Sequence, residues 1–278
     1  MMSAAALEGL LRSMPTFHPG QVWLAGAGPG DPALLTLYAL AGLAQADVVV
    51  HDALVDEHTL NLARPEARRV FAGKRSGQPS AHQAEISAQL IKFADAGARV
   101  LRLKGGDPYV FGRGAEEVLA LAQHGVPFRV IPGITAGLAG LTMALVPATE
   151  RGVNKAIVLA TGHGGIDADG VDSLDWVALA RLGQPIVFYM AMARIRDIAG
   201  ALLAAGLPGN TAAAVVASAT LPEQRVLVSS LAQLADEIAR RGIGTPAIVV
   251  IGETVRMRAR LLALLPQLAE ECLALRQF

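Results

Sequence analysis

The sequence predicts an α/β protein built from two successive series of alternating strands and helices. Short β-branched or apolar runs recur between segments whose apolar residues repeat at helical spacing. The runs end in glycine- and proline-rich loops, as strands that feed helices do. The pattern breaks once, over the charge-free stretch 132–147, and starts again at Lys155. Alternation of this kind argues for a mostly parallel sheet covered by helices.

Residues 1–20 read as a short helix or frayed arm, because Glu8 and Arg12 interrupt the apolar stretch that a secretory signal would keep continuous. The first strand, 21–26, ends in GAGPGD. There Asp31 is placed as an N-cap and Pro32 as the first residue of a helix continuing through ALLTLYALAGLAQA. ADVVVHD, 46–52, is a second buried strand, and 69–72 a short third one leading into Gly73, Lys74 and Arg75. An amphipathic helix at 80–96, a strand at 99–103, a helix after Gly114 and a strand at 127–131 complete the first series. The second series has a strand in AIVLATG, a helix at 174–181, a strand in PIVFYM and a helix at 195–205. Strands at 212–217 and 225–228, a helix at 231–241 and a strand at 247–251 follow, with an exposed loop at 164–170. The division expected is an arm at 1–20, an α/β domain at 21–133, a linker and junction helix at 134–154, and a second α/β domain at 155–278.

A chain of 278 residues holds one large or two average domains, and 53% apolar residues supply ample core. The 24 basic and 24 acidic residues cancel with no basic block, which argues against a nucleic-acid partner. Cys272 is the single cysteine and the six histidines form no ligand pair at helical spacing, so neither a disulfide framework nor a metal site is expected. A reducing cytoplasm suits that cysteine usage. Residues 130–149 carry no charge over about 20 positions, the length of a membrane span. Pro132, Gly133, Gly137, Gly140 and Pro147 puncture the segment, so a strand end, a turn and a buried helix are expected there and no membrane span. The spacing of Gly137 and Gly140 suits close backbone packing.

The segment with most chemistry is RLKGGDPYVFGRG, from Arg102 to Gly114. A buried strand stops in Gly105 and Gly106, whose bare backbone lets a ligand approach main-chain groups. Asp107 places a carboxylate at the strand's carboxyl end, where α/β sheets bind small ligands. Gly112 and Gly114 bracket Arg113. GAGPGD invites a dinucleotide-binding reading, with Asp52 holding a ribose. The third glycine position is nevertheless Asp31, and Pro29 removes an N–H from the phosphate nest.

GAGPGDPALLTL, HDALV, GKR, HQAEI, LKGGDPYVFGRGAEE and PGITA occur in this order, and GHG at 162–164, VFYM and TPAIVVIGE extend the set. From Gln21 onward the chain therefore resembles the tetrapyrrole (precorrin) methyltransferase family. The resemblance implies two α/β domains with mostly parallel or mixed sheets and a ligand cleft between them, the tetrapyrrole methylase or class III methyltransferase fold. It further implies S-adenosyl-L-methionine as cofactor, released as S-adenosyl-L-homocysteine, no metal, and a homodimer. GGDP followed by FGRG, together with GKR, separates the chain from relatives acting on ribosomal RNA or diphthamide. The implied activity is C-methylation of uroporphyrinogen III at C2 and C7, giving precorrin-2 for cobalamin or sirohaem synthesis. Without the dehydrogenase and ferrochelatase portion of fused sirohaem synthases, a monofunctional form is expected.

By the same resemblance Pro29, Gly105, Gly106, Asp107, Val110, Thr135 and Ala136 contact the cofactor, with Met190, Ala219 and Ala247 from the second half. Asp52 and Lys74 match the family's suggested base and acid. A substrate with eight carboxylates needs cations, and Lys74, Arg75, Lys104, Arg113, Arg151 and Arg194 are available. Arg75, Lys104 and Arg113 are taken as the substrate-binding set. Three alternatives stay open: a later precorrin methyltransferase acting at another ring carbon, a dinucleotide-binding oxidoreductase using GAGPG, and a non-enzymatic tetrapyrrole carrier.

Overall fold

A computed structural model describes residue 9 and residues 13–73, 83–162 and 174–264. Lys74, Arg75, Cys272, the loop expected at 164–170 and most of the N-terminal arm lie outside the described residues. The chain divides into two units, Met1–Thr135 and Ala136–Phe278.

Five strands form the first unit's sheet: β1 (Val22–Gly26), β2 (Val48–His51), β3 (Arg68–Phe71), β4 (Val100–Lys104) and β5 (Phe128–Ile131). They lie in the order β3-β2-β4-β1-β5, every pair parallel. Parallel strands are covered on both faces, which is why they read as nearly unbroken apolar runs. Successive residues still point to opposite sides. Trp23, Ala25, Val49, Leu101 and Leu103 pack with Phe17 and with Leu43 of α1 (Leu37–Gln45). Val22, Val48, Val50 and Val100 pack on the other face, with Ile86 and Leu90 of α3 (Gln83–Asp95) and Leu121 of α4 (Gly114–Gln123). The short α2 (Glu57–Leu60), capped by Asp56, was not expected, because four residues cannot display an apolar repeat.

The helix expected to start at Pro32 is interrupted. Asp31 caps only a 3-10 turn, Pro32–Leu34, and α1 starts afresh at Leu37 behind Thr36, whose side chain accepts from the Ala39 N–H. At the amino edge of the sheet, Asp47 joins β2 to β4 and to the loop before β3. Its carboxylate accepts from Arg99 N (2.8 Å), Nε (2.9 Å) and Nη2 (2.8 Å) and from Arg64 Nη2 (2.7 Å).

The second unit begins with α5 (Ala136–Met143) and continues β6 (Val158–Thr161), α6 (Trp176–Leu182), β7 (Ile186–Tyr189), α7 (Ile195–Ala204), β8 (Ala212–Ala217), β9 (Arg225–Ser230), α8 (Leu234–Arg241), β10 (Ala247–Ile251) and α9 (Arg256–Leu264). Its sheet runs β6-β7-β10-β8-β9, and only β6 and β7 are parallel. The sheet is therefore mixed. β8 and β9 are joined by a short helix-free loop, and a parallel crossover needs a longer connection. Gly137 and Gly140 do pack closely: a Cβ on Gly137 would lie 2.2 Å from Tyr189 Oη, and one on Gly140 3.3 Å from the Ala219 Cβ.

Candidate active site at the carboxyl edge of the first sheet

Because all five strands of the first unit are parallel, their carboxyl ends share one edge, and the loops after β1, β2, β4 and β5 emerge together. Three glycines bring these loops into backbone contact. A Cβ on Gly26 would lie 2.4 Å from Gly106 O and 2.6 Å from Gly133 Cα, and one on Gly133 only 2.1 Å from Gly106 O. Ala27 N donates to Lys104 O (2.7 Å), while Gly28 and Gly106 exchange N–H···O bonds of 3.2 and 2.7 Å. The main-chain groups of Gly106, expected to be open to a ligand, are thus bonded within the chain. Glycine is required there by its φ of +68° and by the close approach of Gly26 and Gly133. Gly105 touches the loop after β2, its Cβ position 3.0 Å from the Leu54 Cβ.

The Asp107 carboxylate clamps this edge: Oδ1 accepts from Tyr109 N (2.8 Å) and Oδ2 from Gly133 N (3.0 Å). Val110 is half-buried beside the exposed Tyr109 and Phe111. Phe111 and Arg113 hold left-handed backbone at φ +53° and +57°, a strain that accumulates in functional loops. Arg113 is exposed and forms a two-point pair with Glu116, Nε–Oε1 2.8 Å and Nη2–Oε2 2.7 Å. Pro29 is half-buried in the first loop, and the Asp31 Oδ1 accepts from Ala33 N at 2.8 Å. That carboxylate occupies the start of the turn, where a dinucleotide would bring its pyrophosphate.

Behind the edge lies a cluster of charge that sequence reasoning did not identify. Arg102 and Lys104 follow Val100 at alternate positions of β4 and so face α3 and α4. Glu117 of α4 meets both. Its Oε1 accepts from Arg102 Nε and Nη2 (both 3.2 Å), Lys104 Nζ (3.1 Å) and Gln83 Nε2 (2.8 Å). Arg102 Nη2 also reaches Asp52 Oδ1 at 2.5 Å, and Lys104 Nζ lies 3.8 Å from Asp52 Oδ2. Side-chain exposure is 1% for Arg102, 3% for Lys104 and 0% for Glu117, against 28% for Asp52. Burial opposes the charge on Arg102, but Asp52 and Glu117 outweigh it and hold the guanidinium pKa above its usual value. Lys104, expected to anchor substrate carboxylates, is instead buried against two carboxylates of its own chain. Two cations at alternate positions of an otherwise apolar strand were the signal for this arrangement.

The second unit gathers its own predicted residues at one sheet edge. Val249 pairs with Phe188 and Ala247 with Ala217, so Ala247, Met190 and the loop after β8 share that edge. Met190 is exposed at φ +54°, and Ser218 (φ +48°) and Thr220 (φ +72°) flank the buried Ala219. Gly137 N donates to Tyr189 Oη (3.1 Å) just before Met190. Thr135 is buried and Ala136 half-buried; Arg151 is exposed and Arg194 half-buried.

The profile of the Tetrapyrrole (Corrin/Porphyrin) Methylases matches residues 21–235, and the chain belongs to that family. The uroporphyrinogen-III C-methyltransferase of a Sinorhizobium species is 51% identical over 257 residues, covering 92% of this chain and 91% of its own. The siroheme synthase of Nitrosomonas eutropha is 44% identical over 92% of this chain; the chain spans about half of that relative, 53% of its length. Among solved structures, a uroporphyrin-III C-methyl transferase from Thermus thermophilus in complex with S-adenosyl homocysteine superposes with a TM-score of 0.72. It is 39% identical, covering 85% of this chain and 99% of that one.

Proposed function

We propose that this chain is an S-adenosylmethionine-dependent C-methyltransferase that methylates uroporphyrinogen III at C2 and C7, giving precorrin-2 for sirohaem and cobalamin synthesis. The observation that carries this is the 51% identity, over nine-tenths of both chains, to a uroporphyrinogen-III C-methyltransferase. The first unit's edge fits the donor. Its first turn is capped by a carboxylate and interrupted by Pro29, which disfavours a phosphate and tolerates a cation.

S-adenosylmethionine, when bound, supplies an electrophilic methyl group on sulfur. In the first unit the Pro29 turn, the 105–107 segment, Val110 and Thr135 would hold it; Ala136, Met190, Ala219 and Ala247 are the second unit's own candidates. The protein's main contribution is alignment and exclusion of water. Asp52, partly exposed and paired with Arg102, is assigned the removal of a proton from the ring. Lys74 is assigned the complementary proton donation. Arg113 and Arg75 serve the substrate carboxylates, and Lys104, given its partners, is withdrawn from that set. The same reading includes a homodimer acting in the cytoplasm. Among the described residues no helix is long and apolar enough to cross a membrane.

The test is incubation with methyl-labelled S-adenosylmethionine and enzymatically prepared uroporphyrinogen III. Two labelled methyl groups in the macrocycle are expected. Label entering only an already methylated precorrin would assign a later step, and no label at all would refute methyl transfer.

A further inference from the structure

The buried cluster contains two cations and two anions, and only Asp52 among them meets solvent. Arg102 offers its Nε–Nη2 side to Glu117 at 3.2 Å from each nitrogen, and such a two-point contact fixes the plane of a guanidinium. From that plane Nη2 also reaches Asp52. The Glu117 carboxylate is itself held by Gln83 and Lys104 and is fully buried.

We infer that Glu117 is a positioning residue for Asp52: it balances the two buried cations of β4 and fixes the arginine that holds the Asp52 carboxylate in place. Without Glu117 both cations would bear on Asp52 alone. A buried uncompensated charge is costly, so the cluster would draw Asp52 inward or admit water, and either displaces it. The charged groups around Asp52 are Arg102 and Lys104 from β4 and Glu117 from α4. His51 precedes it on β2, with Nδ1 3.2 Å from the Asp52 carbonyl oxygen, and Lys74 lies outside the described residues. The inference rests on the reading above, in which Asp52 is the base.

The test is a double-mutant cycle of Glu117→Gln with Asp52→Asn, scored by kcat, by KM for each substrate and by urea unfolding. Glu117→Gln should lower kcat about 10–100-fold while leaving KM for S-adenosylmethionine within about twofold, and Glu117→Asp should recover about tenfold. In the Asp52→Asn background the same change should cost less than about twofold, because Glu117 acts through Asp52. An equal fall in kcat in both backgrounds, or none in either, would overturn the inference when urea unfolding shows no coupling as well. Should Glu117→Gln not fold, Lys104→Met with Glu117→Gln removes one charge of each sign. That pair should fold and turn over faster than Lys104→Met alone; slower turnover counts against charge balance. Coupling in urea unfolding without coupling in kcat would leave Glu117 as the holder of Asp52 and remove Asp52 from the chemistry. Coupling in neither defeats the inference.

Discussion

Gly133→Ala is the sharpest perturbation the first unit offers. The added Cβ would stand 2.1 Å from Gly106 O and 2.7 Å from Gly26 Cα, both backbone atoms that cannot rotate away. An ordinary contact requires more than an ångström of separation between the loops after β4 and β5. Overpacking of this kind costs roughly 1–3 kcal/mol. The same movement stretches the 3.0 Å bond from Gly133 N to Asp107 Oδ2. Its loss adds about 1 kcal/mol, so the total is about 2–4 kcal/mol. The two tryptophans make the measurement local: with Trp176→Phe as background, Trp23 fluorescence in urea follows β1 alone. Titration with S-adenosylhomocysteine should show weaker affinity as well, because the displaced loops carry the residues assigned to the donor. An unfolding midpoint and an affinity both equal to the parent's would refute the account of this edge.

Three other perturbations follow from the geometry. The Asp47 carboxyl is lowered from 3.8 to about 2, first by its hydrogen bonds from the Arg99 guanidinium. A depressed folded value stabilises the protein above the unfolded value and loses that contribution as pH falls toward 2. Asp47→Asn should therefore cost about 1 kcal/mol at pH 7, discounted for a pair that is partly exposed and screened. The gap in urea midpoint between parent and variant should close between pH 4 and pH 2, and a constant gap would contradict the assignment. Tyr189→Phe removes the acceptor of the buried Gly137 N–H and should cost about 1–3 kcal/mol, read from Trp176 fluorescence. Gly200→Ala, in α7 with open space at the Cβ position, should be neutral or stabilising by up to about 1 kcal/mol in thermal unfolding.

Where a segment's local chemistry decided its structure, the sequence displayed it. The β8 and β10 bounds were legible because short apolar runs between turn residues act locally, and the packing at Gly137 and Gly140 because small residues admit a close neighbour whatever its place in the chain. The first helix was misplaced because Asp31 and Pro32 form a valid start signal that Thr36 repeats five residues later. Strand direction in the second sheet depends on contacts between distant segments, and a strand's own residues carry little of it. The site divides similarly. Gly105, Gly106 and Asp107 were marked by composition, but their internal bonding was not, since it depends on Gly28 and Gly133 approaching from other loops. Glu117 lies in the first turn of α4 beside a second acid, Glu116, and only the register of β4 turns Arg102 and Lys104 toward it.

The most direct test of the central claim is a crystal structure with S-adenosylhomocysteine bound. The thioether ligand should lie against the Pro29 turn and the 105–107 segment, with Asp52 at the exposed side of the charge cluster. A ligand lodged away from the first sheet's carboxyl edge, or a dinucleotide pyrophosphate seated on the 28–31 turn, would contradict it.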